Sequence, residues 1–344
     1  MTMAKVDDKG LRLSLKNNEV SNVYFVYGNE EYLKRTSVDL LLTKFADAGK
    51  DSFDFKKFDG KDTRLDDVLA AVESFPFMSE YSCILVTDFP FESLSDSEFT
   101  QLKETLNDMP QSSVLIFWQF SETTGKTKNQ NAVIKIVEKV GTAVECNTKT
   151  PAEIKKILGA GIIKRGCTVS ESTLNYIIEV VGDDLYLLLS ETEKLTAYCA
   201  GGEVTRQAVD KLCSKSIDSN AFDVTKALVA GNSDKAFAAL NELFVLREEP
   251  LKILGAIVMT YTDMYRVKVA VQQTGSYALL GETFACYKGK EFRLRNAAKN
   301  ASSLSLEQLR KALEELNRAD ELLKTSKMDG NLVIEELIVR LLMI

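Results

Sequence analysis

The sequence predicts an α/β domain followed by all-α structure. The first 147 residues alternate short β-type apolar runs with amphipathic helical patterns, which reads as a parallel sheet covered on both faces. At Thr150 that alternation ends, and Thr150-Pro151-Ala152-Glu153 combines an N-cap, a proline at the first helical position and a reciprocal glutamate. Beyond it the apolar residues recur at helical spacing.

Strands are expected at Val23–Tyr27, Phe53–Phe58, Cys83–Thr87, Val114–Trp118 and Thr142–Cys146. Each is a short run rich in β-branched, aromatic or aliphatic residues. Helical patterns lie between them near 30–47, 64–73, 95–107 and 129–139, and Ser95 with Glu98 forms a capping box for the third. Residues 151–213 read as four short helices punctuated by Gly166, Gly182 and Gly201-Gly202, with no further strands. The polar stretch 214–224 reads as a loop and a second boundary. After Pro250, one apolar face is marked by Leu254, Ile257, Val258, Tyr261 and Tyr265. A Ser305/Gln308 capping box starts another, with Leu306, Leu309, Leu313, Leu316 and Leu323. Asp320 and Lys324 suit an i,i+4 ion pair. The expected domains are 1–147, 148–214 and 215–344.

With 344 residues, 45% hydrophobic and 27% charged, the chain can bury several cores. No apolar run approaches the roughly 20 residues of a membrane helix, and the N-terminus lacks a signal-peptide pattern. A cytoplasmic protein without a membrane partner is expected. Six cysteines at 83, 146, 167, 199, 213 and 286 include no C-x-x-C pair, so buried reduced thiols are expected, with no metal. The absence of histidine excludes serine–histidine and cysteine–histidine catalysis and histidine metal sites. A net charge of −7 opposes DNA binding by the chain alone.

Two segments imitate a phosphate-binding loop. Gly28, four residues, then Leu33-Lys34-Arg35 has the strand–helix context, but Leu33 replaces the second glycine and Arg35 the hydroxyl. Glu30 and Glu31 would also bring like charge to the phosphates. Gly125-Lys126-Thr127 matches three letters, yet Phe120 stands where the first glycine belongs and Glu122 is again acidic. Neither is expected to hold a nucleotide, and no cofactor is expected. An ATPase or small-molecule kinase using Lys34 or Lys126 remains the enzymatic alternative.

At the end of the second helical pattern stand Ser74-Phe75-Pro76-Phe77-Met78, followed by polar Ser79-Glu80. Proline ends the helix and presets the backbone, reducing the entropy lost on docking. A phenylalanine buried in a partner removes roughly 150–250 Å² from water, or about 4–6 kcal/mol of gross driving force. Such a group is either a docking anchor or a plug for the sheet's own core; the residues alone leave both open.

"VYFVYGNEEYLKR" (23–35) is similar to the opening of the delta-subunit family of bacterial DNA polymerase III, a clamp-loader family. The resemblance continues through "LDDVLAAVESFPFMSEYSCILVTD" (65–88), 221–257 and 313–342, so it spans nearly the whole chain. It implies an AAA+-like α/β domain without a working P-loop, a small helical domain, and a helical collar domain that joins other loader subunits. These would be of the motor and delta-prime types. It further implies a subunit of the polymerase III holoenzyme, without ATPase activity of its own, that binds and opens the ring-shaped sliding clamp for loading onto primed DNA. Ser74, Phe75, Pro76, Phe77 and Met78 would form the clamp-binding element; Phe75 and Met78 depart from the family's commonest letters but stay apolar. ATP on neighbouring subunits would control exposure of that element. Another loader subunit with a structural post is the second alternative. The segment 287–299, with five basic residues around Phe292, is either a DNA surface or a helix face for other subunits.

Overall fold

The computed structural model describes residues 4–46, 53–120, 127–287 and 291–344. The chain divides into two compact units, Met1–Lys149 and Thr150–Ile344.

In chain order the first unit runs β1 (Ala4–Val6), α1 (Asp8–Lys16), β2 (Val23–Tyr27), α2 (Glu31–Phe45), β3 (Phe55–Asp59) and α3 (Leu65–Glu73). It continues with β4 (Ser82–Thr87), α4 (Asp96–Asn107), β5 (Ser113–Trp118), α5 (Lys128–Val140) and β6 (Thr142–Glu145). The strands pair in parallel in the order β1-β6-β2-β5-β4-β3. Val23 stands opposite Leu115 of β5, and Tyr24 opposite Thr142 of β6.

Every residue of β2 is buried, because the strand is flanked on both edges and covered on both faces. Val23, Phe25 and Tyr27 join a core with Val68 and Val72 of α3, Leu102 and Leu106 of α4, and Val133 and Val137 of α5. With a period of two, Tyr24 and Val26 face the other way; the Tyr24 ring lies 5.8 Å from that of Phe45 at the end of α2. Gly141 lets α5 turn directly into β6, since a Cβ there would stand 2.2 Å from the Val23 carbonyl oxygen. β3 is one edge strand, and its half-exposed Lys56 and exposed Lys57 guard it against pairing with other chains.

The five expected strands form, with two shifts of consequence. β3 begins at Phe55, leaving Phe53 outside the sheet and 87% exposed. The N-terminal stretch, which has no strand pattern, contributes β1 and α1. There Asp7 caps α1, Leu11 is buried, and Asp8 forms a buried 2.7 Å ion pair with Lys149. The Ser95–Glu98 capping box is present.

The second unit runs α6 (Pro151–Lys164), β7 (Thr168–Val169), α7 (Glu171–Val181), α8 (Leu185–Cys199), β8 (Glu203–Val204), α9 (Arg206–Leu212) and α10 (Ile217–Val229). It ends with α11 (Ser233–Val245), α12 (Pro250–Thr274), α13 (Leu280–Thr283), α14 (Glu291–Ala301), α15 (Leu306–Thr325) and α16 (Gly330–Leu342). α6 to α9 share one hydrophobic cluster, with Leu158, Ile177, Leu188 and Val209 fully buried. α10 to α16 build another around Val224, Leu240, Ile257, Met264, Leu309 and Ile338. The capping boxes at Thr150–Glu153 and Ser305–Gln308 both form, and Asp320 pairs with Lys324 at 2.7 Å.

Two expectations for this unit are corrected. Strands do not stop at Thr150: β7 and β8 pair in parallel as a two-stranded ribbon. Residues 214–224 are mostly helix, not loop. Ser216 caps α10, and the polar Asn220 and Thr225 lie buried beside Ala221 and Val224, so polar residues occupy the inward face.

Among the described residues no helix is long and apolar enough to cross a membrane. Cys83, Cys146 and Cys167 are buried and Cys199 and Cys213 half-buried, but Cys286 is exposed, against the expectation for all six. Burial pushes the Cys83 thiol up to about 12 and that of Cys146 up to about 11, so neither is a nucleophile at neutral pH.

Candidate docking site

Gly28 leaves β2 with φ +121°, and a Cβ on it would fall 2.1 Å from the carbonyl oxygen of Cys146. Only glycine accepts that approach in that conformation. The next turn does not form a phosphate cradle. The Glu30 N–H donates to the Cys146 carbonyl at 2.9 Å, so this amide is committed to the chain leaving β6. Leu33 is buried where the motif needs glycine, and Arg35 is exposed. The Lys34 side chain is buried, donates to the Phe120 carbonyl at 2.9 Å and lies 5.9 Å from that residue's ring. This lysine ties α2 to the chain leaving β5. Glu122, Gly125 and Lys126 of the second imitation lie outside the described residues. Among the described residues no cluster of acidic or thiol side chains is placed to hold a metal ion.

The segment after α3 is different in kind. Phe75, Phe77 and Met78 are 86%, 84% and 82% exposed. They are therefore not plugs for the sheet, whose core is closed on this side by Leu65, Val68, Leu69 and Val72 of α3. Three large apolar groups side by side in solvent are unusual for a folded domain.

The backbone that carries them is fixed. Ser74 ends α3, and its hydroxyl donates to the Ala71 carbonyl at 2.6 Å and accepts from the Lys56 ammonium at 2.8 Å. From three residues on, the Asp54 carboxylate accepts three successive backbone N–H groups. Phe77 donates to Oδ1 at 2.6 Å, and Met78 and Ser79 to Oδ2 at 2.8 Å each. Those bonds, from Phe77 and Met78 foremost, hold the Asp54 carboxyl at about 2, below the ordinary value of 3.8. Lys56 belongs to β3 and Asp54 immediately precedes it, so the sheet edge fastens the turn at both ends. Pro76 fixes φ between the two fastenings.

All five residues expected of the docking element thus lie on one anchored turn. Asp54 and Lys56 escaped the sequence reading. Their partners lie 18 to 25 residues away, and nothing local distinguishes an acidic residue before an edge strand from a solvated one.

In the basic segment 287–299, Arg293 is turned inward: its Nε and Nη2 donate to Oδ2 of the buried Asp263 at 3.1 and 2.7 Å. Tyr287 is buried and donates its hydroxyl proton to Oδ1 of the same carboxylate at 2.6 Å. Arg295 and Lys299 are exposed, and Lys288 and Lys290 lie outside the described residues. The run of five cations is therefore not one continuous surface.

Residues 24–147 match the family described as DNA polymerase III, delta subunit, and residues 218–341 match its C-terminal domain, together well over half of the chain. The chain belongs to the DNA polymerase III delta-subunit family. The delta subunit of Bacillus subtilis strain 168 is 24% identical over 336 residues, covering 96% of this chain and 95% of the relative. A probable delta subunit of Aquifex aeolicus strain VF5 is 22% identical over 254 residues, covering 72% and 70%. The solved structure of the DNA clamp loader delta protein of Bacillus subtilis superimposes with a TM-score of 0.62 at 23% identity, over 98% of this chain and 100% of that one. The delta-family fold is therefore shared along the full length: a parallel α/β unit and a helical region after it. In delta-family terms, the anchored turn lies between the second helix and third strand of the pattern read from the sequence, where the resemblance puts its clamp-binding element.

Proposed function

We propose that this chain is the non-catalytic clamp-loader subunit that binds the sliding clamp and opens it for loading onto primed DNA. The observation that carries this reading is the anchored turn, with Phe75, Phe77 and Met78 presented to solvent and their backbone already shaped. Apolar anchors on a rigid support are the usual form of an interface hot spot, and little conformational entropy remains to be lost when they dock. Membership of a clamp-loader family supports the sliding clamp as the occupant. Opening requires the turn to bind the strained ring more tightly than the closed one. A gap of about 5.5 kcal/mol carries a two-state equilibrium from 1:99 to 99:1. Burial of several large apolar groups is of that order, so this subunit needs no nucleotide of its own. The committed Glu30 amide and the engaged Lys34 agree with that division of labour.

The helical domain, 215–344, is the collar in this reading, joining motor and delta-prime type subunits in the cytoplasm. Primed DNA is met within the assembled loader, and ATP on neighbouring subunits governs access to the turn. The reading predicts that Phe77→Ala abolishes binding to the sliding clamp in a calorimetric titration. The unfolding midpoint stays at the wild-type value, because this ring contributes nothing to the core. Unchanged clamp affinity in Phe77→Ala would defeat it.

A further inference from the structure

The clamp-contact side chains leave open what keeps an exposed apolar turn from collapsing onto its own surface or flexing in water. The N–H groups of Phe77, Met78 and Ser79 converge on one point, a concave arrangement of successive amides that selects an anion. The anion is supplied by the chain itself from a residue 23 to 25 positions earlier. With the amides turned inward to Asp54, the side chains of Phe77 and Met78 are turned outward. Two of the three residues so held bury almost none of their apolar surface, so what the carboxylate determines is the shape of an exposed surface, not the packing of the core.

Building on the proposed clamp contact, we infer that Asp54 is the positioning residue of the docking turn, holding Phe77 and Met78 in the outward arrangement that the clamp selects. Asp54 itself is only 6% exposed, so it acts through the backbone it holds and not by touching the partner. Lys56, bonded to Ser74, secures the near end of the same turn. When only part of the population has the competent shape, apparent affinity falls by that fraction, and the loss appears in the association rate.

The test is Asp54→Asn, which keeps the size of the side chain but places an amide –NH2 against backbone N–H groups that need an acceptor. In surface-immobilised clamp binding, the association rate constant falls about tenfold, as expected if the competent fraction drops to about a tenth. The dissociation rate constant stays within about twofold, because the docked turn makes the same contacts. In hydrogen exchange, the amides of Phe77, Met78 and Ser79 lose protection in the variant while those of β2 and β5 keep theirs. A purely structural role for Asp54 would instead lower protection across the sheet. The wild-type protein gives an arm that needs no variant: these three amides are protected although the turn is exposed, and exchange at the rate of an unstructured peptide overturns the inference. Phe77→Ala separates this inference from the reading it rests on. If Phe77→Ala loses the clamp while Asp54→Asn associates at the wild-type rate, the docking reading stands and the role of Asp54 falls. If Phe77→Ala binds normally, the docking reading fails and takes this inference with it.

Discussion

Phe77 and Gly28 show how a single residue's surroundings decide between function and scaffold. Phe77 contributes its ring to solvent and its N–H to Asp54; Gly28 contributes only the absence of a side chain. Gly28→Ala would drive a Cβ into the Cys146 carbonyl at a positive φ. It should cost about 3 kcal/mol or more, read as a fall in the urea midpoint. Lys34→Met removes the donor to the Phe120 carbonyl and is expected to cost about 1–3 kcal/mol. The same variant leaves calorimetric ATP titrations as flat as those of the wild type; saturable wild-type binding lost in Lys34→Met would instead favour an ATPase. For Asp54 the folded value is depressed, so its contribution is complete above about 3.8 and is lost as pH falls from there through about 2. Clamp affinity should therefore show no step attributable to this carboxylate between pH 5 and 8. A wild-type inflection in that range that disappears in Asp54→Asn would contradict the assignment.

Among the elements, those governed by local chemistry could be read directly and those governed by distant partners could not. Val23–Tyr27 announces itself because a central parallel strand is apolar throughout, and the caps at Ser95, Thr150 and Ser305 because their partners lie three residues away. Thr150→Ala should cost about 1 kcal/mol in urea unfolding, since it removes the acceptor for the Glu153 N–H and one side of a reciprocal box. β1 was invisible because three residues carry no periodicity, and its existence depends on pairing with β6 at the far end of the first unit. The start of α10 looks like a loop because its buried face includes Asn220 and Thr225; the Thr225 hydroxyl is satisfied within the helix by the Ala221 carbonyl. The docking turn was half legible. Its side chains stood out as an apolar cluster around a proline, but whether they faced the core or the solvent depended on α3 closing the sheet without them. The fastenings at Asp54 and Lys56 were set by the sheet edge, not by neighbouring sequence.

For the whole molecule, a net charge of −7 disfavours binding of DNA by the chain alone. In the first unit a glycine turn follows β2, while the Glu30 amide and the Lys34 side chain are engaged elsewhere. In this account, what remains is a rigid platform that presents one apolar turn, and the energy for distorting the ring comes from burying that turn. The most direct measurement places two fluorophores across one interface of the closed sliding clamp and follows their separation as the purified chain is added without nucleotide. Separation should increase saturably with the wild-type chain and stay at its starting value with Phe77→Ala. A ring that remains closed at saturating wild-type chain, or that opens equally with Phe77→Ala, would contradict the account.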